Sequence, residues 1–319
     1  MLDAIPFSFL ARRAVSALVT LILATGIVFA IQLAIPGDPA RLIVGMQADA
    51  GQYQVVRRAL GLDQPPLRRY GQWLLGLTRL NFGTSIAYAT PVGPLIASRL
   101  PVTVPLVAAS SLLALLIALP LGGLAARRRG TGVDVLVSAV SQLGLAAPSF
   151  WLGLLLILWL AVGWRWLPSG GFTPWTDDPV AALRSLILPV VALTFGQTAG
   201  LTRMVRSSVL SVVGLDFVRT ARSKGLTARQ VWNGHVLRNA WMDIVTLLGV
   251  SVGQLLGGSL IIEAVFNLPG LGRLGLQAVQ SFDYPVVQGV VVVIAAAIVF
   301  INFLTDVLYA LLDPRIRFD

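Results

Sequence analysis

Six stretches of the chain contain no Asp, Glu, Lys or Arg and consist mainly of apolar residues. A helix needs about 20 such residues to cross a bilayer, and backbone groups in lipid must form their hydrogen bonds within the segment. We therefore predict six transmembrane helices, in which internal prolines produce tolerated kinks. The stretches are 14–37, 100–126, 135–164, 185–202, 244–262 and 284–305.

The first stretch follows Arg12 and Arg13, as the apolar region of a signal peptide would. Its apolar run exceeds the usual length of about 7–15 residues, and it ends in Pro36-Gly37-Asp38 without a small-x-small cleavage pattern. We therefore expect a retained transmembrane helix.

Composition agrees with a membrane protein. Of the 319 residues, 56% are hydrophobic and 12% are charged, whereas soluble chains carry about 25% charged residues. The net charge of +10 fits nucleic-acid binding or basic cytoplasmic loops, and the hydrophobicity favours the loops. Without cysteine, and with His235 as the single histidine, the chain offers no disulfide, thiolate site or multi-histidine metal site.

The basic residues also predict the topology, because cytoplasmic loops carry an excess of Lys and Arg. With a cytoplasmic N-terminus, the two short outer loops hold only Arg165, Arg184 and Arg273, so we expect both termini inside. The inner side then receives Arg12, Arg13, Arg127, Arg128, Arg129, the basic residues of 203–238, Arg315 and Arg317.

Two predicted loops are too long to be simple connections, and loops of this length usually carry function. The outer one, 38–99, is expected to be folded, with a helix from about Gln52 to Leu60. The inner one lies between the fourth and fifth stretches. We divide the chain into 1–99, a first helix plus the outer loop, and 100–319, a core of five helices with the inner loop at about 214–240.

The inner loop predicts a helical hairpin. A helix from Phe217 to Lys224 would end at Gly225, which suits a left-handed residue, with Leu226 making the usual apolar contact after it. Thr227 and Gln230 then form a capping box for a second helix.

Three interpretations of this hairpin compete. It is an amphipathic hairpin resting on anionic lipid, a DNA-binding helix-turn-helix, or a knob that docks into a soluble partner. Its attachment to the membrane at both ends disfavours DNA binding. Ala221 and Gly225 are small and four residues apart, which leaves space for another group to pack closely.

The loop resembles the cytoplasmic EAA loop of bacterial ABC importer permeases, which reads roughly E-A-A-x-x-x-G-x9-I-x-L-P. Arg219, Thr220, His235 and Arg238 depart from that pattern, but the peptide and nickel branch reads R-T-A-R-x-K-G-L followed by H-x-L-R-N-A, as this chain does. The resemblance implies contact with an ATPase. The implied coupling residues are Phe217, Arg219, Thr220, Ala221, Arg222, Lys224, Gly225, Leu226 and His235.

Further segments are similar to landmarks of the first permease subunit of dipeptide and oligopeptide importers. They are 36–39, 60–63, 81–85, 147–151, 263–272, 283–289 and 312–315. The resemblance implies an all-α type I importer fold in the bacterial inner membrane. It also implies a second permease, two cytoplasmic ATPase domains, an external solute-binding protein, and di- or oligopeptides as cargo. Nickel complexes, glutathione and haem are alternative cargoes, and the outer loop either caps the pore or meets the binding protein.

The chain offers no catalytic motif, so we expect a pore subunit and not an enzyme. A P-loop requires Gly-Lys-Ser/Thr, whereas the only lysine, Lys224, lies between Ser223 and Gly225. We therefore expect no cofactor in this chain, and ATP with Mg²⁺ in partner subunits. The rival hypothesis is an ion-coupled secondary transporter, which would need a coupling-ion site and no hairpin.

Four polar residues in or beside the apolar stretches are candidates for the translocation path or gate. Asn302 and Asp306 share one helix face, although a structural hydrogen bond would also explain Asp306. Gln254 suits interhelical hydrogen bonding as well. Glu263 could gate the pore, contact the binding protein, or lie at a solvated helix end.

Overall fold

The computed structural model describes residues 7–34, 39–45, 49–59 and 61–312. Within these ranges the chain is helical, with no β-strand and one isolated bridge between Thr84 and Pro91. The predicted all-α class is confirmed. The landmarks at 36–38 and 313–315, the end of the predicted helix at Leu60, and Arg315 and Arg317 lie outside the described residues.

The chain divides into two compact units. One contains Thr103–Leu268 with the described residues from Phe300 onward, and the other contains the described residues before Thr103 with Pro269–Val299. The helices in chain order are α1 (Phe7–Ala34), α2 (Pro39–Val44), α3 (Ala50–Ala59), α4 (Pro66–Leu77), α5 (Val92–Ala97), α6 (Leu100–Arg127), α7 (Gly132–Ala146), α8 (Ser149–Leu156), the π-helix π1 (Ile157–Gly163), α9 (Pro179–Val213), α10 (Asp216–Ser223), α11 (Ala228–Val231), the π-helix π2 (Trp232–Leu237), α12 (Arg238–Val265), α13 (Leu271–Gln280) and α14 (Tyr284–Leu312).

In the described part of the chain, five helices are long and apolar enough to cross a membrane, and a bent pair makes a sixth span if it is counted as one. The pair consists of α7 and the α8–π1 segment, which meet at 91°. Ala147 is extended there (φ −82°, ψ 120°), because the ring of Pro148 disfavours a helical residue before it. The span predicted over 135–164, with a tolerated kink at its proline, is a pair of helices bent much more sharply than a kink, since Pro148 ends one helix and begins another.

The fourth predicted span, 185–202, is only the middle of α9, which has 35 residues. At 1.5 Å per residue such a helix is about 50 Å long, well beyond the roughly 30 Å of a hydrocarbon core. Asp178 caps its start by accepting hydrogen bonds from the amides of Val180 and Ala181. α9 packs against α7, α8 and α12 in the same unit, and therefore forms the central helix of that unit.

In the other unit, the 39–99 loop is folded against α1 and the segment before α14. The Tyr70 hydroxyl lies 2.9 Å from Thr25 Oγ1 and donates to the Ile22 carbonyl at 2.8 Å. The buried Asp283 carboxylate accepts from Ser85 Oγ and from the Ala87 amide. The helix predicted near 52–60 is confirmed as α3.

Candidate functional site

The predicted hairpin is present between α9 and α12. α10 begins at Asp216 and ends at Ser223, and Gly225 follows with φ +77°. Both halves of the capping box are present. The backbone N–H of Gln230 donates to Thr227 Oγ1, and the backbone N–H of Thr227 donates to Gln230 Oε1. We define the hairpin as residues 216–237, comprising α10, the Gly225 turn, α11 and π2.

An apolar cluster fixes the hairpin to the long helices. Val218 and Ala221 of α10 are buried in it, together with Val231 and Val236 from the second limb. The long helices contribute Ala126 from α6, Val205, Val209 and Val212 from α9, and Ala240 and Ile244 from α12. The hairpin is therefore packed against three long helices. It is also covalently continuous with one of them, because π2 runs directly into α12.

The opposite side of the hairpin is exposed. Phe217 and Leu226 are exposed apolar side chains of the hairpin, and its polar residues Arg219, Thr220, Arg222 and Lys224 are exposed too. Arg219 forms an ion pair with Asp216 at 3.5 Å between highly exposed side chains, which contributes little to stability. This surface combines uncovered apolar groups with basic charge, as a docking surface for an acidic partner would.

The two small residues singled out in the sequence have different roles in the fold. Ala221 is buried in the apolar cluster, so what packs closely at Ala221 includes long helices of the same chain. At Gly225 an added Cβ would meet no atom within 4 Å. His235 lies in π2, is half-buried, and its carbonyl accepts a hydrogen bond from Asn239 Nδ2 at 2.6 Å.

The four polar candidates for a path or gate lie in different environments. Gln254 and Asn302 are exposed, and Asp306 is half-buried. Glu263, the only glutamate, is fully buried and accepts a hydrogen bond from Thr103 Oγ1 at 2.6 Å. The expectation of a solvated helix end at Glu263 is therefore wrong, because this carboxylate is bound to the start of α6.

One polar contact near the hairpin was missed by sequence reasoning. Arg206 of α9 donates from Nε to Asp134 Oδ1 at 2.6 Å and from Nη2 to Oδ2 at 2.8 Å, and the Gly130 amide also donates to Oδ2. Such bidentate pairs are the strong ones. A single acidic residue before the third apolar stretch was the available signal, but nothing in the sequence identified Arg206 as its partner.

In the described residues, no group of three or more His, Asp or Glu side chains is placed to hold a metal ion. The polar groups around the hairpin are instead a surface of arginines and lysine with one half-buried histidine. The arrangement suits contact with another macromolecule.

Comparison with known proteins agrees with this geometry. Residues 118–318 match the family described as binding-protein-dependent transport system inner membrane component, and residues 6–107 match its N-terminal region. The oligopeptide transport system permease protein AppB of Bacillus subtilis is 37% identical over 314 residues, which cover 98% of this chain and 99% of AppB. The glutathione transport system permease protein GsiC of Escherichia coli K12 is 37% identical over 311 residues, covering 98% and 99%.

A candidate peptide transport system permease protein of Brucella abortus is 40% identical over 308 residues, covering 97% of this chain and 98% of that protein. A chain of the MetNI methionine ABC transporter, solved in an inward-facing conformation, aligns with a TM-score of 0.58 at 22% identity. It covers 69% of this chain and 96% of its own length, which shows a shared fold. Because these matches cover nearly the whole chain, the chain belongs to the family of binding-protein-dependent transport system inner membrane components. The members of this family are multi-pass permeases of ABC transporters.

Proposed function

We propose that the chain forms half of the translocation pore of an ATP-driven peptide importer, with its hairpin docked on an ATPase subunit. The observation that carries this proposal is the two-sided hairpin. One side is fixed to α6, α9 and α12 by a buried cluster, and the other presents exposed apolar and basic groups. A movement of the docked partner would therefore reach three long helices through packed contacts.

The source of energy lies outside this chain in the proposed importer. The sequence contains no P-loop, and Lys224 is a residue of the hairpin. We infer that two ATPase domains bind ATP and Mg²⁺ on the cytoplasmic side, where the basic hairpin belongs by the positive-inside rule. A second permease would complete the pore, and an external solute-binding protein would deliver the cargo.

Peptides are the proposed cargo because relatives that match nearly the whole chain have names referring to oligopeptide and glutathione transport. Glutathione is itself a small peptide, so the two names describe one chemical class. Both chain termini are proposed to be cytoplasmic, in agreement with the distribution of arginine.

A pair of glycine substitutions tests the docking. Gly225 and Gly130 both have left-handed backbones (φ +77° and +78°), and an added Cβ at either would meet no atom within 4 Å. Gly225→Trp and Gly130→Trp therefore carry similar backbone strain, on the order of 1 kcal/mol or more. Only Gly225→Trp places an indole on the proposed docking surface.

The measurements are uptake of a labelled peptide and co-purification of the tagged chain with its ATPase. We expect Gly225→Trp to lower both by about tenfold or more, which corresponds to roughly 1.4 kcal/mol of lost binding, and Gly130→Trp to retain most of both. Equal behaviour of the two variants would contradict the docking role. Uptake that continues without ATP but stops when the proton gradient collapses would instead assign the chain to the secondary transporters.

A further inference from the structure

A cleft of about 370 Å³ lies between the end of α6 and the start of α12, both within the unit that contains the hairpin. Pro120 and Leu124 line it from α6, and Leu237 and Ile244 line it from the other side. These walls are apolar, so the interior of the cleft suits a hydrocarbon chain better than a polar ligand.

The position of the cleft along α6 indicates its depth in the membrane. α6 is free of charged side chains until Arg127, the first of three consecutive arginines. Such a basic cluster at the end of an apolar helix marks the boundary between hydrocarbon and headgroups. The lining residues of α6 lie in the last two turns before this boundary, so the cleft opens where phospholipid headgroups begin.

The mouth of the cleft carries the charge and the aromatic groups of a headgroup site. The Arg127 guanidinium carbon lies 6.0 Å from the centre of the Trp232 ring, within range of a cation–π contact. Trp241 lines the cleft beside Trp232, and tryptophan favours the headgroup level of a bilayer. The Arg127 side chain is exposed, and in the described part of the chain no carboxylate lies within ion-pair distance of it.

The surface around the cleft favours lipid over a soluble partner. Leu116, Leu121 and Leu124 are apolar side chains of α6 that are exposed in this chain. A soluble protein docking here would meet a mainly aliphatic helix, whereas lipid acyl chains match it. By contrast, the exposed surface of the hairpin carries Arg219, Arg222 and Lys224.

We propose that this cleft binds one anionic phospholipid, with the phosphate at Arg127 and an acyl chain along Pro120, Leu124 and Ile244. Basic pockets between transmembrane helices on the cytoplasmic side are suited to such headgroups. Because Trp232 and Leu237 belong to the hairpin, a bound lipid would fill the space between the hairpin and α6. That effect on coupling rests on the proposed function, but lipid binding does not, so the two are tested separately.

The first experiment tests whether the charge of Arg127 selects an anionic headgroup. The delipidated full-length protein in its complex is titrated with phosphatidylglycerol or phosphatidylcholine, and binding is followed by native mass spectrometry. We expect one phosphatidylglycerol to bind preferentially, and Arg127→Gln to weaken it about fivefold, the contribution of one arginine near an anionic surface. Arg128→Gln, which removes the adjacent exposed arginine outside the cleft, is the matched control and should change the affinity little. Equal binding of the two lipids, or unchanged affinity in Arg127→Gln, would overturn the proposal.

The second experiment tests whether the lipid occupies the space inside the cleft. Leu124 and Leu121 are equally exposed on α6, at 39% and 38%, but only Leu124 lines the cleft. We expect Leu124→Trp to fill the cleft and remove the preferred phosphatidylglycerol, while Leu121→Trp retains it. Retention in both variants, or loss in both, would overturn the assignment of the lipid to this cleft. The Arg127→Gln result stands independently if Leu124→Trp does not fold.

Discussion

The turns at Gly130 and Gly225 share one backbone conformation but have different surroundings. Each glycine has a left-handed backbone conformation, and a threonine at the N-cap position of the next helix (Thr131 or Thr227) follows it. Each also lies near an aspartate–arginine pair. The pair near Gly130 joins Asp134 to Arg206 with side chains only 8% and 29% exposed. The pair near Gly225 joins Asp216 to Arg219 with side chains 96% and 75% exposed.

This difference separates a turn that is tied to a distant helix from the turn that we propose docks a partner. Asp134 binds Arg206, 72 residues further along, and so attaches the first turn of α7 to the central helix α9. The Gly225 turn carries a local capping box between Thr227 and Gln230. Its outer surface remains uncovered, as an interface awaiting a partner would be.

The largest expected effect on stability comes from breaking the buried pair. Asp134→Ala would leave the partly buried Arg206 guanidinium without its carboxylate, which is costly. We expect the melting temperature of the purified complex to fall by roughly 5 °C, measured by intrinsic fluorescence. An unchanged melting temperature would show that the pair does not hold the two segments together. The double variant Asp134→Arg with Arg206→Asp should recover part of the loss.

A smaller, local effect is expected at the helix caps. Thr227 accepts a hydrogen bond from the Gln230 amide, whereas Thr131, at the start of α7, forms no side-chain cap. Thr227→Ala should destabilise α11 by about 1 kcal/mol and speed amide exchange there about fivefold, as measured by hydrogen–deuterium exchange. Thr131→Ala is the matched control, and comparable acceleration in α7 would contradict the distinction between the two caps.

The smallest effect is expected at the exposed pair. Asp216→Asn removes a surface ion pair whose atoms lie 3.5 Å apart, and such pairs contribute roughly 0–1 kcal/mol. We expect the melting temperature to stay within about 1 °C of the wild type. A shift as large as that of Asp134→Ala would mean that the hairpin surface is stabilised by charge and is not open for docking.

The sequence predicted well those features that depend on neighbouring residues. The apolar stretches located the long helices, because a charged side chain in lipid is costly wherever it lies along the chain. The Gly225 turn and the Thr227–Gln230 cap were also predictable, since a left-handed residue and a capping box each involve residues a few positions apart. The resemblance carried by the 219–226 and 235–240 motifs is confirmed by the family match.

Features that depend on which surfaces meet were not predictable. Ala221 is buried because it joins an apolar cluster with residues of three long helices, and Glu263 is buried because α12 meets α6 at Thr103. The 91° bend at Pro148 was also missed, since a proline in a membrane helix is compatible with a kink or with a break. Only the neighbouring helices select between them.

The sequence by itself therefore determined the membrane class, the positions of the long helices and the local form of the hairpin, because periodicity, charge and capping act over short distances along the chain. The tertiary structure alone decided which hairpin surface is open, which carboxylates are buried, and that Asp134 pairs with Arg206. Those outcomes depend on contacts between residues far apart in sequence, and on the desolvation of polar groups where helices pack.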